Sequence, residues 1–239
     1  MSLPSTLLLP LREEGFHFVS ADVMRSLLGG QGSLDDWQSF AESWNDLKTD
    51  MHMADEGRYR KRRYAVYRAA EGKLIRQPHQ PHFQTLDYNP LNGGVERWFD
   101  PVEDAIGAHD ILEKTLMLCC EVFGQLRPQA KFWHIEMHQF RIEALPEAEG
   151  LPTPEGIHRD GRDFVLVLMV RRENIQSGVT TIHDADKKIL GSFTLTQPLD
   201  AAFVDDNRVY HGVTAVTPLN PALPAYRDVL VVTFKEVSG

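Results

Sequence analysis

The sequence predicts an α+β chain that is mainly β, a jelly roll covered by N-terminal helices packed on one sheet. Three observations carry this. Short strand-like runs recur from residue 131 onward, with Gly, Pro, Asn and Asp between them. The stretches joining successive runs are too short for helices, so the strands should pair antiparallel. Helical periodicity is confined to the first half. The 239 residues are expected to form one domain, 1–239, with a helix-rich support region at 1–130 and a jelly-roll core at 131–239.

Ser20-Ala21-Asp22 should start a short helix that Gly29-Gly30 stops. Ser33 should open a second, with Asp36 as a weak capping-box partner. Trp37, Phe40, Ala41, Trp44 and Leu47 then share one helical face. Asp100-Pro101-Val102-Glu103 carries a cap residue, a proline and a glutamate in the favoured order. It predicts a helix running to about Gly124, bent at Gly107. The expected strands are Trp133–Ile142, Phe164–Val170, Val179–His183, Ser192–Thr196, Ala202–Val204, Val209–Val216 and Asp228–Phe234. Phe164–Val170 is apolar throughout, as in a strand buried on both faces.

Hydrophobic residues at 42% and charged residues at 25% exclude a disordered chain. No apolar run is long enough to span a bilayer. A net charge of −9 argues against a general nucleic-acid binder. The two cysteines, Cys119 and Cys120, are adjacent. On a helix they diverge by about 100° and cannot bridge easily. They suit a reducing cytoplasm. Leu7-Leu8-Leu9-Pro10 is a short apolar run without a basic flank, followed by Glu13 and Glu14. It is expected to belong to the mature protein.

The chemistry centres on His158-Arg159-Asp160. Ten histidines among 239 residues make a single His-x-Asp an ordinary event. Its setting adds weight. On an extended backbone His158 and Asp160 face the same way, just before the most apolar strand. His211 lies in a later strand-like segment that the fold could bring alongside. Two imidazoles and one carboxylate on one face hold Fe(II) while leaving neighbouring positions open. Arg227 opens the last apolar strand, where a buried guanidinium needs an anion. The distal carboxylate of a dicarboxylate would suit, and so would an internal acid such as Asp205 or Asp206. Gln139 and Arg141 alternate on one face of the strand before the metal loop and are candidates for the cavity wall.

Other features favour plain roles. Residues 58–68 hold six of the 25 basic residues, interleaved with Tyr59, Tyr64 and Tyr67. A solvated basic face is preferred to nucleic-acid docking. An arginine of this run could instead meet a substrate carboxylate. His134 and His138 merely share a strand face, and His183-Asp184 lies in strand-like sequence that does not suit a helical metal site.

His158-x-Asp160, a fifty-residue gap, His211 and then Arg227 resembles the iron(II)/2-oxoglutarate dioxygenases. Further segments are similar to the bacterial branch resembling L-isoleucine hydroxylase, which oxidises free amino acids. They include Arg58–Tyr64, Asn89-Pro90-Leu91-Asn92-Gly93-Gly94, His138-Gln139-Phe140-Arg141 and Val204-Asp205-Asp206. One departure stands out: Val229 occupies the place two residues after the arginine where many members carry serine.

The resemblance implies a double-stranded β-helix. It implies Fe(II) on His158, Asp160 and His211, with 2-oxoglutarate as cosubstrate, Arg227 on its distal carboxylate, and dioxygen. Ascorbate would serve as reductant in vitro. The implied reaction gives succinate and carbon dioxide while hydroxylating a carbon, or oxidising a sulfur, of a small metabolite. A free aliphatic L-amino acid is the first choice, with no nucleic-acid or membrane partner. The rivals are a non-catalytic jelly roll that binds a metal or ligand, and a macromolecule oxidase docking through the basic run.

Overall fold

The computed structural model describes residues 3–30, 34–53 and 57–237. In chain order the elements are α1 (Ser5–Glu14), β1 (Phe16–Val19), α2 (Ala21–Leu27) and α3 (Trp37–Glu42), the last continued by a 3-10 turn over Ser43–Asp46. Then come β2 (Lys48–Thr49), β3 (Arg60–Ala70), β4 (Lys73–Arg76), α4 (Asp104–Gly107), α5 (Asp110–Leu126), β5 (Phe132–Glu143) and β6 (Phe164–Glu173). The chain ends with β7 (Ile175–Ser177), β8 (Thr180–His183), β9 (Ile189–Phe193), β10 (Ala201–Asp205), β11 (Tyr210–Val213), β12 (Val216–Pro218) and β13 (Tyr226–Glu236).

The large sheet runs β1-β10-β6-β13-β5-β3-β2, with β4 paired to β3. A three-stranded sheet, β11-β8-β9, and a ribbon, β12-β7, make the other layer. Among the described residues every strand pairing is antiparallel, as expected. Strands from before residue 130 lie in the same sheet as those after it, so β1 to β4 are sheet members and more than support.

Alternation decides the two faces of the large sheet. Ile135 and Met137 on β5, Leu166 and Leu168 on β6, and Leu230 and Val232 on β13 are buried in one core with the helices. Phe40, Trp44, Leu112, Leu116 and Phe123 supply the helical side of that core. The intervening residues face a cavity between the layers: Glu136, His138 and Phe140; Val165 and Val167; Val229, Val231 and Thr233. The sheet thus has a dry outer face and a polar, ligand-sized inner one.

Several boundaries differ from expectation. Ser33 lies outside the described residues; Leu34–Asp36 form a turn, and the helix begins at Trp37 with Asp36 as its cap residue. Asp100–Val102 is extended rather than helical: Tyr64 N–H donates to Asp100 O (2.9 Å) and Val102 N–H to Tyr64 O (3.1 Å). The long helix is two helices. Gly107 ends α4 where the Tyr67 hydroxyl donates to its carbonyl (2.9 Å), and the His109 ring accepts from Ile111 N–H (3.3 Å) to start α5. Ser192–Thr196 is not one strand. Asp200 Oδ2 accepts the N–H groups of Thr196 and Gln197, both at 2.8 Å, and bends the chain after Phe193. Val209–Val216 divides into β11 and the start of β12.

The basic run gives the largest correction. Arg60, Arg62 and Arg63 are buried. On β3 the side chains of Arg60 and Arg62 face the cavity. The face expected to be solvated is therefore a wall of the interior.

Candidate metal centre

His158 and His211 meet across a short bridge, each N–H donating to the other's carbonyl at 2.9 Å. Asp160 follows on the same face, and the ligand atoms of His158, Asp160 and His211 all lie within 4.8 Å of one another. His158 Nε2 is 3.5 Å from Asp160 Oδ1, and His211 Nε2 is 3.7 Å from Asp160 Oδ2. His158 Nδ1 bonds the Gly156 carbonyl at 3.0 Å, which places a proton on Nδ1 and turns Nε2 toward the carboxylate.

The electrostatics suit a cation. Burial lowers the His158 pKa, but the hydrogen bond and charge of Asp160, then Glu155, raise it to about 9. Burial and then the His158 charge hold His211 down at about 4, so its lone pair stays available. Burial raises Asp160, but the His158 hydrogen bond and the His211 and His158 charges lower it further, which keeps it anionic. The donor set of two imidazoles and one carboxylate fits Fe(II).

The loop is held from below. Asp206, 1% exposed, accepts Asp160 N–H on Oδ1 and Arg162 N–H on Oδ2, both at 3.0 Å. Burial, then the Asp160 charge, raises the Asp206 carboxyl to about 7. From above, Gln84 donates to Asp160 O (3.2 Å), and Arg162 donates to Phe83 O (3.3 Å) and Glu136 Oε2 (2.7 Å).

Arg227 also lines this cavity. It is 2% exposed, and among the described residues neither its Nε nor its Nη1 has a hydrogen-bond partner. Asp205 and Asp206 are not paired with it; Asp206 serves the metal loop instead. Arg172 stands beside it on β6. A buried, unpaired guanidinium is costly unless an anion reaches it.

Gln139 and Arg141 do not line the cavity. They lie on the other face of β5, one residue out of phase with His138. Gln139 Nε2 bonds Ser43 Oγ (2.8 Å), and Arg141 grips both oxygens of Asp228 at 2.7 Å. The inner face instead presents His138, which the sequence pattern left in a plain role, and Glu136, which it did not single out, together with Arg60 and Arg62 of β3. Glu155 adds a carboxylate, with Oε1 3.3 Å from His158 Nε2 and Oε2 buried without a partner.

His82, Glu136 and His138 also bring three ligand atoms within 4.8 Å. Glu136 and His138 are already engaged: Tyr64 and Arg162 donate to Glu136, and Arg62 Nη2 lies 2.7 Å from His138 Nδ1. Two neighbouring guanidiniums disfavour a cation there. His183 is likewise occupied, by Lys187 O and Thr181 Oγ1.

A sequence model of the 2OG-Fe dioxygenase family matches residues 41–233. The chain belongs to this family, whose members use Fe(II), 2-oxoglutarate and dioxygen. Among individual proteins, it is 25% identical over 236 residues to 3(1)-hydroxy-L-isoleucine 4-dioxygenase of Pantoea ananatis, covering 95% of this chain and 94% of that one. It is 27% identical over 158 residues to L-isoleucine-4-hydroxylase of Bacillus thuringiensis, covering 64% of each. The crystal structure of a bsmA homolog from Methylobium petroleophilum superposes with a TM-score of 0.89 at 37% identity, covering 99% of this chain and 95% of that one.

Proposed function

We propose that this dioxygenase hydroxylates, or S-oxidises, a free aliphatic L-amino acid in the cytoplasm. His158, Asp160 and His211 hold Fe(II), and Arg227 anchors the distal carboxylate of 2-oxoglutarate. The observation that carries this is the pairing, in one cavity, of a convergent His/Asp/His set with an unpartnered buried arginine. Bound there, Fe(II) supplies activation of dioxygen coupled to decarboxylation of 2-oxoglutarate to succinate.

The chain's own residues supply position and dryness. Gly156 fixes the His158 tautomer. Asp206 sets the backbone of the metal loop. Val165, Val167 and Val231 give the cavity an apolar wall that accepts an aliphatic chain and excludes water. Two of the relatives carry isoleucine in their names, which supports an amino acid of this kind. Burial of Arg60, Arg62 and Arg63 takes half of the basic run away from the surface, which supports a small substrate over nucleic acid.

The test is succinate formation from 2-oxoglutarate with Fe(II) and ascorbate, across twenty free amino acids, with Asp160→Ala as the inactive control. Stimulation by one or a few aliphatic or sulfur amino acids is expected. Turnover that no amino acid stimulates would discard the substrate class. An Asp160→Ala protein as active as the wild type would discard the metal assignment.

A further inference from the structure

The cavity has a second cationic end, two strands away from Arg227. On β3, Arg62 pairs in register with Phe140 of β5, which pairs in turn with Val229 of β13. Three guanidiniums gather near it, all buried: Arg60, Arg62 and Arg97. Among the described residues, one carboxylate touches this group. Asp50 Oδ2 takes Arg60 Nε at 2.8 Å and Arg62 Nη1 at 3.4 Å. Among the described residues, the Arg97 guanidinium donates to a neutral acceptor, Gln84 Oε1, at 2.9 Å. Positive charge is in excess, in a place where excess charge is costly without an anion.

The donors are also held in place. The Arg62 guanidinium lies between the rings of Phe99 and Phe140, at 3.5 and 4.5 Å from their centroids. It cannot swing out to solvent without losing both contacts. Its Nε is buried and has no hydrogen-bond partner among the described residues. Its Nη2 lies 2.7 Å from His138 Nδ1. A guanidinium only donates, so His138 accepts at Nδ1 and carries its proton on Nε2. The imidazole lines the cavity as a neutral donor.

We infer that Arg62 and His138 form the subsite for the carboxylate of the oxidised substrate, distinct from the Arg227 end that takes the cosubstrate. This rests on the proposed function, in which the substrate is a free amino acid. It specifies that the carboxylate must be unmodified, and that Arg62 recognises it.

The experiment separates the subsite from turnover. The probe is 3-methylpentanoate, the isoleucine skeleton without its ammonium group. It is titrated calorimetrically into protein loaded with Mn(II) and saturated with 2-oxoglutarate, so that the Arg227 end is filled. The matching amide is titrated in parallel. The acid should bind at least about tenfold more tightly than the amide. Arg62→Lys, which keeps the charge beside Asp50 but loses the fork, should weaken the acid by about 10- to 100-fold. Equal binding of acid and amide, absence of acid binding, or an unchanged affinity in Arg62→Lys would overturn the subsite. Failure of the amino-acid panel would show in the succinate assay and leave this outcome readable.

Discussion

Arg172 and Arg227 stand directly opposite each other on neighbouring strands, and Nη1 of each is buried without a hydrogen-bond partner among the described residues. A Cβ at Gly178 would lie 3.2 Å from the first of these nitrogens and 3.8 Å from the second. Burial, then the Arg172 charge, pulls the Arg227 pKa down to about 10. Like charges placed opposite on a sheet repel, and an anion between them would reverse the sign. Val229 offers no hydroxyl at the position where serine is common in related enzymes. On the proposed function, Arg172 would add a second positive charge beside Arg227 at the distal carboxylate of 2-oxoglutarate. Arg172→Gln should raise the KM for 2-oxoglutarate by about threefold while slightly raising the thermal midpoint of the unliganded protein. An unchanged KM, or a change in the amino-acid KM instead, would remove Arg172 from that role.

Arg227→Ala removes the only cavity-lining guanidinium on β13. A charge-assisted, bidentate contact should be lost. The KM for 2-oxoglutarate should rise by about 100-fold, and much more than that for the amino acid. Steady-state kinetics with each substrate varied in turn decide it. Equal effects on both would move Arg227 out of the cosubstrate site.

Asp206→Ala deletes the acceptor for two backbone N–H groups of the metal loop without touching a ligand atom. Partners behind a metal ligand typically matter by about 10- to 100-fold in affinity. Metal titration of the variant should show a loss of that order, with the circular dichroism spectrum retained. Wild-type metal affinity would mean that Gln84 and the His158–His211 bridge hold the loop unaided.

Asp50 gives a pH signature. Burial raises its pKa, but Arg62 and then Arg60 outweigh that and hold it at about 2. A carboxylate depressed in the folded state adds stability above its unfolded pKa, and that stability is lost as pH falls through the folded value. The shift corresponds to about 2 kcal/mol. Asp50→Asn should therefore be less stable than the wild type at neutral pH, and the gap should shrink between about pH 4 and pH 2. Denaturant titrations at several pH values test this. A gap that stays constant through that window would show that Asp50 is not the group responsible.

The convergence of His158, Asp160 and His211 was legible because these residues are chemically distinctive and lie beside strongly apolar strands. The final strand was legible for the same reason. The inner face of β5 was not. Glu136 and His138 on one side, and Gln139 and Arg141 on the other, make both faces polar, so a period of two carries no sign of which side is inward. Tertiary pairing decided it: Arg141 meets Asp228 in register, which puts His138 in the cavity. Burial of Arg60 and Arg62 was hidden because the acid that offsets them, Asp50, is ten or more residues away along the chain. The bend at Gly107 was legible, but that it completes into a break was not, because Tyr67 and Arg76 approach Gly107 only in the folded chain.

The two-faced alternation of the large sheet also governs how such a protein can diverge. A side chain on the inner face can be exchanged singly, and the change is felt first by the ligand. A one-residue deletion within β5 is a different event. It would carry Glu136 and His138 into the helical layer and bring their apolar neighbours into the cavity, undoing the core and the site together. New specificities in this lineage should accordingly arise by point replacement at fixed strand length, while gains and losses of residues collect in the loops.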